Sequence, residues 1–187
     1  MAIQIGAKPD SGFDDPLGML KDCHRRIESF LGILCLVVER AKGRTLTGEE
    51  KSAIQAALQY FRSGGQRHTA DEEVSLFPRL RASSVGPPQE LDLLEADHRE
   101  AQHLHNSVER LYLQWAGSGA LSAENCDRLL LETERLRQLY AQHIEVEERI
   151  VFPHAAQVLD VRTIAAIGLE FQTRRSEPPP KVTRQNQ

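Results

Sequence analysis

His68-Thr-Ala-Asp-Glu-Glu-Val-Ser-Leu-Phe-Pro78 and His143-Ile-Glu-Val-Glu-Glu-Arg-Ile-Val-Phe-Pro153 spell one pattern, HxxxEExxxFP, twice in the same chain, 75 residues apart. The segment ahead of each copy repeats as well: Leu17, Leu20, His24 and Arg25 recur as Leu91, Leu94, His98 and Arg99, at a shift of 74. HxxxE alone carries little, since His24–Glu28 and His105–Glu109 also fit it. The eleven-residue string, found twice in phase, means that one helical hairpin is used twice. The nearly constant shift implies that both copies keep the same loop geometry.

Four segments around these strings carry apolar residues at helical spacing, and none alternates at the period of a strand. The first runs from about Pro16 to Lys42, with Leu17, Leu20, Ile27, Leu31, Leu34 and Val38 on one stripe. Thr47-Gly-Glu-Glu50 is a capping-box pattern that opens the second, which the proline of Phe77-Pro78 is expected to stop. The third follows the turn-forming residues Ser83 to Pro88, carries Leu91, Leu94, Val108, Leu111 and Trp115, and ends at Gly117-Ser-Gly119. A fourth starts near Ser122 and is expected to end at Phe152-Pro153, and a short fifth spans about Val161 to Thr173. Long helices joined by short links predict an all-α, antiparallel up-down-up-down four-helix bundle over residues 14–160. Residues 1–13 read as a flexible segment, and 161–187 as a short helix and a disordered tail, SEPPPKVTRQNQ, with little apolar to bury.

The chain has 187 residues, enough for one domain with a sizeable core. Hydrophobic residues at 40% and charged ones at 27% exclude a mostly disordered chain, and a formal charge of -4 suggests neither a nucleic-acid nor an acidic-membrane partner. Three scattered cysteines form no CxxC pair, so a reduced, cytoplasmic protein is expected. Neither a secretory leader nor an apolar run of about 18 residues is apparent, so no membrane partner is expected either. Oligomeric state is not written in the sequence.

Positions four apart share one helix face, so His68 with Glu72 and His143 with Glu147 each grip one object. That face is the apolar one. His24 interrupts Leu17, Leu20, Ile27 and Leu31, and His98 interrupts Leu91, Leu94 and Val108. Two carboxylates sunk unpaired in a bundle core would cost several kcal/mol apiece, against a net stability of roughly 5–15 kcal/mol for a whole domain. Lysine and arginine are absent from these positions. Four imidazoles around two carboxylates are instead a ligand set for divalent metal: His24 with His68 and His98 with His143 at one ion each, with Glu72 and Glu147 bridging. Nitrogen and carboxylate ligands with open positions and no thiolate favour iron, with manganese behind it.

From about Asp14 to Leu159 the chain resembles the hemerythrin-like, or HHE cation-binding, domains, in the variant ordered His, HxxxE, His, HxxxE. The resemblance implies a four-helix bundle holding an oxo- or hydroxo-bridged non-haem di-iron centre, with ligands His24, His68, Glu72, His98, His143 and Glu147. Oxygen-carrying relatives have HxxxH in the third helix, where this chain has Gln102, and a longer His-to-Asp spacing in the last motif. Reversible oxygen carriage is therefore disfavoured, and binding, sensing or turnover of dioxygen, peroxide or nitric oxide is expected. Catalase-like peroxide disproportionation and an iron-responsive regulatory module are the alternatives. Iron–sulfur repair ranks lower because no cysteine precedes Cys23. Glu73 and Glu148 read as surface ion-pairing groups, Glu28 and Gln102 as either outer partners of ligands or solvated residues, His105 as a core histidine, and Arg174-Arg175 as a patch without a partner.

Overall fold

A computed structural model of the chain describes residues 11–83 and 89–176; those residues are helical with short links, and no strand occurs among them. Helix α1, Pro16–Ala41, starts at Asp15, whose side chain accepts from the Gly18 amide, with a proline in its first turn, and ends at Lys42 in the left-handed conformation. Helical segment α2 covers 48–81. At its start Thr47 and Glu50 close the capping box in both directions, at 2.8 and 3.2 Å. Helix α3, Leu91–Ser118, ends at left-handed Gly119. Segment α4 covers 123–158 and starts where Ser122 accepts from the Asn125 amide. Helix α5 is Val161–Ser176.

Neither Phe-Pro pair ends its helix. Helix α2 continues to Arg81 and α4 to Val158. The reason is a π-type turn just before each pair, Asp71–Leu76 and Glu147–Val151, in which the amide of Phe77 reaches back to Glu72 and that of Phe152 to Glu147. The wider turn leaves room for the pyrrolidine ring and dispenses with the amide that proline lacks. A third such turn, Phe61–Gly65, falls in the middle of α2. The turn residues 84–88 and the tail beyond Ser176 lie outside the described residues, as do residues 1–10. Ser11 is tied by its amide to Asp22 at 2.9 Å.

Pairings between helices advance along one as they retreat along the other. On α3 and α4, Glu100 meets Arg135 and Ser107 meets Arg128. On α1 and α2, the His24 ring meets that of His68 and the Phe30 ring that of Tyr60. Arg62 meets Glu109, and Arg81 meets Glu95, across α2 and α3.

The apolar interior is divided in two. One cluster includes Ile27, Leu34, Ile54, Val108, Tyr112, Trp115 and Leu136. Its three large polar rings are satisfied, Tyr112 donating to the Leu34 carbonyl at 2.6 Å, Trp115 to that of Arg44 at 2.8 Å, and Tyr140 bonding His105 at 3.1 Å. The other contains Leu20, Leu76, Phe77, Leu94, Phe152 and, from α5, Ile167 and Phe171. In sequence His24 falls between Leu20 and Ile27, and His98 between Leu94 and Ala101, so a polar layer separates the two apolar ones.

Helix α5 is anchored by more than apolar contact. Arg174 and Arg175 both bond the fully buried Asp71, Arg175 at 2.6 Å, and Arg174 also donates to Ser75 at 3.0 Å. These arginines are thus structural partners of α2, which the sequence reading did not foresee. At Gly168 the Phe13 carbonyl lies so close that an added Cβ would sit 1.9 Å from its oxygen.

Candidate metal centre

The two HxxxE pairs sit on α2 and α4, while His24 and His98 enter from the middle of α1 and the early turns of α3. All six predicted residues are buried, Glu72 and Glu147 completely. They converge into two overlapping groups of four, His24, His68, Glu72 and Glu147, and Glu72, His98, His143 and Glu147, each offering ligand atoms that all lie within 4.8 Å of one another. The first group holds His24 with His68, and the second His98 with His143.

The carboxylates lie between the two histidine pairs. Oε1 of Glu72 is 3.3 Å from His68 Nε2 and 4.0 Å from His24 Nε2, while its Oε2 is 3.4 Å from His98 Nε2. Glu147 presents Oε2 to His24 Nε2 at 3.0 Å and to His143 Nε2 at 3.4 Å. No good hydrogen bond is available to these atoms. Both oxygens of both glutamates, and Nε2 of His24, His98 and His143, are buried without a hydrogen-bond partner. Buried polar atoms are rarely left so, and seven of them pointing at one another is what a set of cation ligands looks like without its cations.

Electrostatics of the protein alone express the same tension. Burial, with the charge of Glu147 adding to it, pushes the Glu72 carboxyl well above its ordinary range. At Glu147 burial acts in the same direction, but His143 and His24 outweigh it and hold the carboxyl low. Burial disfavours a charged His24, yet Glu147 and Glu72 raise its pKa, whereas burial and the neighbouring His24 push His68 well below the usual value.

Outward nitrogens of three histidines face carboxylates, two of which, Glu73 and Glu148, read from the sequence as surface ion-pairing groups. His24 Nδ1 donates to Glu148 at 2.8 Å and His98 Nδ1 to Glu73 at 2.8 Å, while His143 Nδ1 lies 3.4 Å from Asp97. Phe152 stacks on the His24 ring at 5.5 Å between centroids, and Phe77 on that of His98 at 6.4 Å. Glu28 and Gln102 are exposed, and Gln102 bonds Asn106 at 3.0 Å. The repetition of the second glutamate in both motifs was the signal for Glu73 and Glu148; Asp97 had none.

A cavity of about 260 Å³ opens beside His98, between α2, α3 and α4, lined among others by Gly65, Thr69, Gln102, His105 and Tyr140. On the 75-residue shift Gly65 corresponds to Tyr140, and both line this cavity. His105, a core histidine as expected, bonds Tyr140 through Nε2 at 3.1 Å, and burial lowers its pKa to about 4.

Fold and site together define an all-helical protein built to hold cations in its core. The chain belongs to the hemerythrin HHE cation-binding domain family, whose model matches residues 15–155. It is also similar to a Haemophilus influenzae protein described as an "Uncharacterized protein", at 25% identity over 163 residues, covering 87% of this chain and 91% of that one. No helix among the described residues is long and apolar enough to cross a membrane.

Proposed function

We propose that the protein is a di-iron protein that binds, senses or turns over a small oxidant, dioxygen, peroxide or nitric oxide, in an antiparallel up-down-up-down four-helix bundle. The observation that carries the reading is the pair of four-ligand groups sharing Glu72 and Glu147, with inward atoms that have no other partner. His24 and His68 would hold one iron and His98 and His143 the other, with Glu72 and Glu147 common to both groups. Manganese ranks behind iron, since the donor set is nitrogen and carboxylate without thiolate. The opposed pairings of Glu100 and Ser107 with Arg135 and Arg128, and of Arg62 and Arg81 with Glu109 and Glu95, support the bundle topology.

Iron when bound supplies reversible one-electron chemistry and open positions for a diatomic or peroxide ligand. The chain supplies the rest. Glu73, Glu148 and Asp97 orient the imidazoles, Phe77 and Phe152 cover two of them, and apolar layers on either side exclude bulk water. The cavity at Gly65 leads from the surface to His98 and suits small, uncharged or singly charged molecules. The protein is expected to work in the cytoplasm without nucleic-acid or membrane partners. Purified protein should carry close to two irons per chain, with near-ultraviolet absorption from a ferric pair that changes on adding peroxide, nitric oxide or dioxygen to the appropriate redox state. A folded, iron-free protein from iron-replete cells would refute the reading.

The cavity also favours a second reading, peroxide disproportionation. Both His98 and Tyr140 line it, and it is large enough for peroxide and water together. Oxygen release on addition of hydrogen peroxide, measured against an equal amount of free iron, tests it. No release above that control would eliminate turnover and leave binding.

A further inference from the structure

The internal repeat lets each half of the cluster serve as a control for the other. Three of the four imidazoles have their outward Nδ1 facing a carboxylate, His24 facing Glu148, His98 facing Glu73 and His143 facing Asp97. The fourth does not: His68 is buried and its Nδ1 has no hydrogen-bond partner. Register supplies the reason. Asp97 stands immediately before His98, and the residue in that place before His24 is Cys23. Cys23 is buried and carries no carboxylate, and its sulfur receives a long contact from Arg26 Nη1 at 3.8 Å. The His98/His143 position therefore has two carboxylate-backed imidazoles, and the His24/His68 position has one.

A carboxylate that accepts from Nδ1–H fixes the tautomer that leaves Nε2 free to ligate, and makes that nitrogen more basic. Loss of such a partner typically costs about 10–100-fold in metal affinity. We infer that the two metal positions are unequal, the ion at His98 and His143 being the resident one and the ion at His24 and His68 the exchangeable one. The inference rests on the metal-binding reading above. It runs against what access alone would give, because the cavity opens on the His98 side. Ligand strength, not exposure, sets which ion leaves.

Variants that retain one intact position remove the mutual repulsion of two adjacent cations. His68→Ala leaves the His98/His143 position, and His143→Ala leaves the other. Chelator-stripped samples are titrated with Co(II), read by visible absorption in competition with a chelator. The His68→Ala protein should bind about 10–100-fold more tightly than His143→Ala. Adding Cys23→Asp to His143→Ala should recover much of the difference, and adding Asp97→Ala to His68→Ala should abolish it. Equal affinities, or tighter binding by His143→Ala, would overturn the inference while leaving the metal reading intact. Failure of the folded wild-type chain to take up Co(II) would overturn both. If a single-ion variant does not fold, graded chelation of the wild-type protein loaded with two Co(II) decides. One ion should leave first, and Cys23→Asp should retain it; unchanged loss in Cys23→Asp overturns the inference.

Discussion

Replacing Glu72 by methionine should raise the stability of the metal-free protein and abolish its stabilisation by metal. The side chain is wholly buried, both oxygens lack partners, and burial together with Glu147 favours its neutral form. Methionine has nearly the same volume and no polar atoms, so the substitution removes an unsatisfied buried carboxyl at little packing cost. An unpaired buried polar group costs about 1–3 kcal/mol, and 1 kcal/mol moves Tm by roughly 2–4 °C in a chain of this size. The metal-free variant should thus melt about 2–12 °C above metal-free wild type. Glu147→Met should do the opposite, since Glu147 is the carboxylate that balances His24 and His143. A raised carboxyl pKa means that the folded state keeps a proton which the unfolded state releases, so metal-free wild type should lose stability as pH rises above about 4.5. Glu72→Met should flatten that decline. With Fe(II) at a hundredfold over Kd, wild type gains about 2.7 kcal/mol per site, and the variant should gain far less. Thermal unfolding followed by circular dichroism, with chelator and with Fe(II) under anaerobic conditions, reads all of these. A metal-free Glu72→Met protein that melts below wild type, or one that keeps the full metal-dependent shift, would refute the reasoning.

Removing the clamp on Asp71 with Arg174→Ala and Arg175→Ala together leaves a buried carboxylate unpaired and should cost about 3–5 kcal/mol, visible in urea unfolding and in faster proteolysis of α5. Thr47→Ala breaks the capping box and should cost about 1 kcal/mol with iron content unchanged. His105, with its pKa lowered to about 4, stays neutral in the folded state while the unfolded chain takes up a proton. Stability should therefore fall between about pH 6.5 and 4, by roughly 3–4 kcal/mol in all, and His105→Leu should flatten that limb of a pH series of denaturant melts.

Helix positions, the hairpin repeat and the six inward residues were legible because each depends on local spacing, whether a cap at Thr47, a left-handed stop at Gly119, or histidine and glutamate four apart on an apolar face. Features that depend on a second helix were not. Asp71 looks like any polar residue beside a motif until Arg174, 103 residues away, is seen to reach it. Asp97 faces His143 across 46 residues and has no repeat copy to mark it. The Phe-Pro pairs misled for a different reason. Proline ends a regular α-helix, but a preceding π-type turn absorbs it, and no side-chain pattern announces a widened turn.

The same turns explain why the repeated string is eleven residues long when metal ligation requires only five of them. Each copy contains two interleaved pairs, offset by one residue. His68 and Glu72 point into the buried cluster, whereas Glu73 and Phe77, also four apart, address His98, the first at its Nδ1 and the second at its ring face. In the second copy Glu148 and Phe152 do the same for His24. Each motif therefore ligates with one face and orders with the next a histidine from the other hairpin, α2 serving α3 and α4 serving α1. Neither hairpin can assemble a complete half-site by itself. Metal affinity is consequently coupled to how the hairpins pack, and Glu73→Gln should weaken the ion at His98 on the opposite hairpin while leaving His68, on its own helix, oriented as before. Loss at the His24 position instead would mean that the ordering runs within a hairpin, contrary to these contacts.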